Sequence, residues 1–168
     1  MVAKGGNVRL GRLLTAVMAV VLACAGVGEA VAQKKPPYWA SISAGKARTR
    51  TGPGRQFPAV WLYQRPHLPV KVIETFPNWR KVQDPDGATG WMQANLLSED
   101  RTAIVRGEVR PMRAEPDVSA SISWRAEPGV VGTITDCADG WCRFEVAGKA
   151  GYIETSHIWG AEDLGGEE

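Results

Sequence analysis

The stretch from Ala47 to Leu97 returns, loosely, from Val109 to Trp159, and an internal repeat of this length constrains the fold more than any other feature of the chain. In the first copy Leu68-Pro69-Val70-Lys71-Val72 leads to Trp79-Arg80-Lys81-Val82, the turn Asp84-Pro85-Asp86-Gly87, then Gly90-Trp91-Met92 and Leu96-Leu97. In the second, Val130-Val131-Gly132-Thr133-Ile134 leads to Trp141-Cys142-Arg143-Phe144, the turn Ala147-Gly148-Lys149, then Gly151-Tyr152-Ile153 and Ile158-Trp159. Short apolar runs of high β-propensity separated by turn residues read as strands, and two copies of one small β unit are the economical interpretation. Such a repeat points to binding rather than to a reaction.

The first residues stand apart from this pattern. Lys4, Arg9 and Arg12 precede an apolar run from Leu13 to Val27, which ends in Ala30-Val31-Ala32. That order is expected of a secretory signal peptide, residues 1–32, cleaved before Gln33. The run is shorter than the roughly 20 residues that cross a bilayer, so no stable membrane span is expected after cleavage. Val21-Leu22-Ala23-Cys24 loosely resembles a lipobox, which leaves lipidation at Cys24 as the alternative exit. Cleavage leaves enough chain for two units of about 60 residues each, a size at which a core is marginal by itself.

Loss of Cys24 leaves Cys137 and Cys142, and an exported chain meets an oxidising compartment. Ala138-Asp139-Gly140-Trp141 separates them as a hairpin loop would, setting the two Cβ atoms opposite each other, so a disulfide is expected. A metal site or redox pair fits less well, because neither histidine is close in sequence and the Cys-x-x-Cys spacing is absent.

Charge is distributed unevenly. Residues 33–105 carry eleven Lys and Arg against five Asp and Glu, and residues 106–168 carry six against twelve. Mutual attraction of the two copies is the first consequence, and a preference of the first copy for an anionic partner the second. Nucleic acid is not expected as a partner, because no Lys/Arg cluster interleaves with aromatics.

An all-β chain follows from the frequent Gly and Pro turns and the β-branched runs. Tyr38–Ser43 is the expected opening strand, the loop through Thr51-Gly52-Pro53-Gly54 follows, and Arg101–Val105 is expected to close the first copy. The domains are thus 38–105 and 106–160, with an acidic tail over 161–168. Alternation puts Cys142, Phe144 and Val146 on one face, the core, and Trp141, Arg143 and Glu145 on the other. By the same rule Val82 faces inward, and Trp79 stands with Lys81 on the outer face. Two outward tryptophans at one repeat position either floor a ligand groove or cover a neighbouring loop. Trp79 is the better ligand candidate, since Trp141 adjoins the disulfide.

Ala47-Arg48-Thr49-Arg50-Thr51-Gly52-Pro53-Gly54, with Phe57-Pro58-Ala59-Val60, Trp79-Arg80-Lys81-Val82, Gly90-Trp91-Met92 and Leu96-Leu97, resembles the bacterial SH3-like domain. The resemblance is more specific over residues 38–105 than over 106–160. It implies two tandem five-stranded barrels and an exported attachment module, often for peptidoglycan peptides and often joined to wall hydrolases. By this resemblance Trp79 and Trp141 line a ligand groove, Trp91 and Tyr152 border it, and Tyr63 either borders it or belongs to the core. Gln93 and Leu96, and Glu154 and Ile158, stand where polyproline-binding members carry Pro and Tyr, which argues against polyproline recognition.

No catalytic constellation is legible. His67 and His157 lack a nucleophile or carboxylate at a recognisable spacing, and Asp84-Pro85-Asp86-Gly87 lacks the later ligands of a calcium loop and reads as a hairpin turn. No cofactor, metal or catalytic residue is therefore expected. The expected function is a non-enzymatic periplasmic or extracellular module that recognises a cell-wall peptide or an envelope protein. The alternatives are an envelope scaffold that never touches the wall and, further off, an accessory fragment of a wall hydrolase.

Overall fold

The computed structural model describes residues 1–2 and 34–162. The expected signal peptide, the Cys24 alternative and most of the acidic tail lie outside the described residues. From Lys34 on, these residues form one compact unit built of two β-sheets.

The first sheet contains β1 (Tyr38–Ile42), β2 (Ala47–Arg50), β3 (Ala59–Tyr63), β4 (Pro69–Phe76), β5 (Trp79–Gln83), β6 (Thr89–Gln93) and β7 (Leu97–Ser98). The second contains β8 (Thr102–Val105), β9 (Arg110–Arg113), β10 (Ile122–Ala126), β11 (Val131–Ala138), β12 (Trp141–Val146), β13 (Lys149–Glu154) and β14 (Ile158–Trp159). A single 3-10 turn precedes the last strand of each, Ala94–Leu96 and Thr155–His157. The spatial orders β3-β2-β6-β5-β4-β1-β7 and β10-β9-β13-β12-β11-β8-β14 are the same order written twice. The chain is therefore an all-β pair of SH3-like modules, with seven paired strands in each where the resemblance implies five.

One expectation needs correction. The strand Thr102–Val105 opens the second module rather than closing the first, pairing with β11 (Val131↔Ile104) and with β14 (Ile158↔Val105). All four of its side chains are buried, because the two modules meet across it. Ile104 enters the first core, with Ile42, Val70, Val72, Val82 and Met92, while Ala103 and Val105 enter the second, with Met112, Phe144 and Ile153. An alternating strand whose two faces each meet apolar side chains reads as a continuous apolar run.

β1 faces β8 across this seam. Trp39 stands edge-on to Trp159, ring centroids 4.5 Å apart, and its indole N–H donates to the Glu162 carbonyl at 2.7 Å. The Ser41 and Thr102 hydroxyls are 2.6 Å apart, with the Asp100 carbonyl 2.6 Å from Ser41 Oγ and the His67 carbonyl 2.8 Å from Thr102 Oγ1. Two hydroxyl protons serve three oxygen contacts, so one contact is always without its proton. The Arg65 guanidinium donates to the Gly129 carbonyl, and that of Arg106 to the Pro85 carbonyl. The four ion pairs among the described residues, by contrast, each lie within one module. Apolar burial and hydrogen bonds hold the seam, with no ion pair across it among those residues.

Cys137 and Cys142 form a disulfide, with Cα atoms 4.1 Å apart. The turn between them is only Asp139-Gly140, since Ala138 already pairs with Trp141. Both turn residues have positive φ, 49° and 81°, the geometry of a tight hairpin that favours Asp-Gly.

Candidate functional site

The site is built from the outward positions of β2, because alternation leaves them no place in the core. Ala47 and Thr49 point inward, 1% and 2% exposed, which turns Lys46, Arg48 and Arg50 to the outer face. Gly90 keeps β2 seated on β6, since a Cβ there would lie 2.7 Å from Thr49 Cβ. The Arg50 guanidinium donates to the Phe57 carbonyl at 2.7 Å, which fixes its direction.

Trp79 leaves β5 on the face opposite Val82, as alternation requires, with Gln93 as its cross-strand partner. The Ala94 N–H donates to the Asn78 carbonyl at 3.0 Å, folding the 3-10 turn beside the indole and bringing Leu96 over it. Leu62 of β3, paired with Arg48, completes the wall. Together with Lys46, Arg48 and Arg50 these residues enclose a hollow of about 160 Å³ with Trp79 in its lining. On the outer face, where alternation puts it, the indole is nevertheless covered. Trp79 is only 8% exposed, because the long cationic side chains and the two leucines close around it.

The volume limits what enters. It equals the liquid share of roughly five water molecules, below the roughly 300–1,000 Å³ of sites that enclose a whole small molecule. Such a hollow takes one side chain or one terminus of a larger partner. None of the ion pairs among the described residues involves Lys46, Arg48 or Arg50, so their charge stands available to an anion.

The other sequence-derived candidates are placed differently. Trp91 shares the outer face, between Lys81 and Arg50 on the neighbouring strands, but Phe76 covers it edge-on at 6.5 Å and it does not line the hollow. Tyr63 belongs to the first core, and its hydroxyl donates to Asp84 Oδ2 at 2.9 Å. Burial, and then this hydrogen bond to Asp84, hold its proton well above the usual tyrosine range. Asp84 Oδ1 in turn accepts the N–H groups of Asp86 and Ala88, at 3.0 and 2.8 Å, which ties the hairpin turn to the core.

Trp141 and Tyr152 are half-buried on the second module's outer face, where Arg143 pairs with Glu145 at 2.9 Å. The hollow beside the disulfide hairpin, lined by Cys137, Asp139, Gly140 and Thr155 among others, includes neither. Sequence reasoning thus brought Trp79 to the site and missed its cationic wall. The available signal was Lys46-x-Arg48-x-Arg50, cations at a strand's period of two.

The bacterial SH3 domain family matches the chain twice, over residues 43–99 and 107–160. Among solved structures the chain is similar to NlpC1 from Trichomonas vaginalis, at 14% identity and a TM-score of 0.35, over 76% of this chain and 46% of that one. It is similar to NlpC2 from the same organism at 14% identity and a TM-score of 0.35, over 74% of this chain and 48% of that one. The chain thus spans about half the length of these two proteins, whose likeness is too distant to bear on function. No curated protein matches it.

Proposed function

The chain belongs to the bacterial SH3 domain family, and from that membership we propose that it is a non-enzymatic binding module of the cell envelope, holding a peptide of the wall or of an envelope protein in the first module. The observation that carries this reading is the hollow beside Trp79, where an indole, two leucines and three cations face one space of about 160 Å³. An aromatic floor gives contact area at low entropic cost, and guanidinium groups pair with carboxylates through two parallel N–H bonds. The Cys137–Cys142 disulfide supports a periplasmic or extracellular address, because such bonds persist in oxidising compartments.

The test is co-sedimentation with purified sacculi beside a pull-down from envelope extract, for the wild type, Trp79→Ala and the conservative Trp79→Phe. Trp79 is nearly buried, so circular dichroism must first show that each variant is folded. Retention by sacculi that falls in Trp79→Ala and returns in Trp79→Phe supports wall binding. Retention of extract proteins alone supports the scaffold reading. A protein retained by neither refutes both.

A further inference from the structure

A second hollow, of about 330 Å³, begins where the first one ends. Arg48 and Leu62 line both, and beyond them it runs over Ala59, Val60 and Trp61 of β3. β3 is the end strand of its sheet and pairs with β2 alone, so one edge offers unpaired backbone groups. Natural proteins blunt such edges with charges or proline. The sequence Ala-Val-Trp-Leu-Tyr of β3 carries neither, and Val60, Trp61 and Leu62 are 56%, 63% and 38% exposed.

The second module has an end strand at the same place, β10, but its tryptophan is turned inward. Trp124, which pairs with Met112 as Trp61 pairs with Thr49, donates its indole N–H to the Ala150 carbonyl at 3.0 Å and lies 6.4 Å from Phe144. Pro111 stands where the first module has Arg48, and Arg125 where it has Leu62. By the same register Val109 replaces Lys46. Both modules thus have a free edge, and the outward indole and the row of cations beside it occur only in the first.

We propose that an extended acidic segment of a partner protein adds as a strand to the free edge of β3, with its carboxylates on the face of Lys46, Arg48, Arg50 and Leu62 and its alternate apolar side chains on the other face, against Trp61. The inference rests on the first module being the one that binds, and it specifies the class and pose of the ligand. Charge complementarity selects the occupant, since Lys46, Arg48 and Arg50, none in an ion pair among the described residues, form a row at and just before the neighbouring strand β2, and Arg48 also lines the hollow over β3. Strand addition supplies main-chain hydrogen bonds, and the alternate side chains supply selection. β3 spans five residues, about 17 Å, so five or six residues of partner suffice.

The experiment titrates the ¹⁵N-labelled protein with acetyl-Glu-Val-Glu-Val-Glu-amide and with its Gln-for-Glu counterpart. We expect amide shifts over residues 47–50 and 59–63 with the indole N–H signals of Trp61 and Trp79, and binding at least about tenfold tighter for the Glu peptide. Arg48→Gln and Trp61→Ser, both at exposed positions, each weaken it about tenfold, and Arg125→Gln leaves it unchanged. Equal binding of the Gln peptide, or shifts confined to the second module, overturns the proposal. Shifts along β3 that grow with protein concentration in the absence of peptide assign the edge to a second copy and also overturn it. If envelope binding depends on Trp79 while the Glu peptide leaves β3 unmoved, this inference alone falls. If the peptide binds and neither sacculi nor extract retains the protein, the envelope reading alone falls.

Discussion

Replacing Trp39 by Ala tests whether the two modules unfold as one body. The indole is 8% exposed, meets Trp159 edge-on at 4.5 Å and donates to the Glu162 carbonyl. Truncating a buried Trp costs about 3–5 kcal/mol, a figure that already contains most of the ring pair's roughly 0.5–1.5 kcal/mol. The lost hydrogen bond adds about 1 kcal/mol. Against a typical total of about 5–15 kcal/mol, a loss of about 5 kcal/mol moves the urea midpoint far more than any surface change. Because β8 gives Ile104 to the first core and Ala103 and Val105 to the second, neither module keeps its core when the other opens. We therefore expect one transition in wild type and variant alike, with near- and far-ultraviolet dichroism coincident and the slope m unchanged. Trp39→Phe retains the ring contact and loses about 1–2 kcal/mol. Two separated transitions in the wild type, or a loss below about 1 kcal/mol in Trp39→Ala, would refute a shared seam.

Tyr63→Phe loses about 1 kcal/mol at neutral pH with the bond to Asp84. Because the folded state holds the Tyr63 proton above the ordinary value of 10.0, the wild type loses that advantage as pH rises past it, by at most about 1.4 kcal/mol per pH unit. Urea melts from about pH 8 to about pH 11.5 should therefore converge for the two proteins, and parallel curves would contradict the assignment. Removing the disulfide as Cys137→Ser with Cys142→Ala, alanine being chosen because Cys142 is fully buried, should cost about 2 kcal/mol, as the loop is short. A loss beyond about 4 kcal/mol would mean that the bridge does more than restrict the unfolded chain. Gly90→Ala drives a Cβ to 2.7 Å from that of Thr49, itself 2% exposed, and should cost about 1–3 kcal/mol by thermal melting. An unchanged or raised melting temperature would show that β2 yields easily.

What was legible in the sequence was whatever depends on alternation and on local turns. Cys142 and Phe144 are completely buried, as their spacing with Val146 requires, and Asp139-Gly140 forms the turn that lets Cys137 reach Cys142. The face of Trp79 was legible and its cover was not, because that cover comes from β2 and from Leu96, which alternation along β5 does not encode. Thr102–Val105 was misassigned because an apolar four-residue strand fits either neighbour equally well. The repeat held the answer, since Thr102 stands as far ahead of Arg113 as Trp39 does ahead of Arg50. The role of Tyr63 hung on its partner Asp84, which sits in a turn that sequence reading treated as local.

The two copies share inward positions and differ in outward ones, and the physical reason lies in what each position must satisfy. An inward side chain answers to a close-packed core on every side, so Val70, Val72 and Val82 in one module and Ile134, Phe144 and Ile153 in the other stay apolar. An outward side chain is not held by the core, so Pro111 stands in place of Arg48 and Arg125 in place of Leu62 in the second module. The tryptophans Trp61 and Trp124 occupy one position and show both outcomes, 63% exposed in the first module and turned onto Phe144 in the second. Where the first module has Val82 at the place of Phe144, an inward-turned Trp61 has less ring to meet, so leaving it outside forfeits less. Divergence at such positions marks a surface under a demand that its twin does not face, and the replacements of Lys46, Arg48 and Leu62 by Val109, Pro111 and Arg125 lie together on the outer face of β2 and on β3.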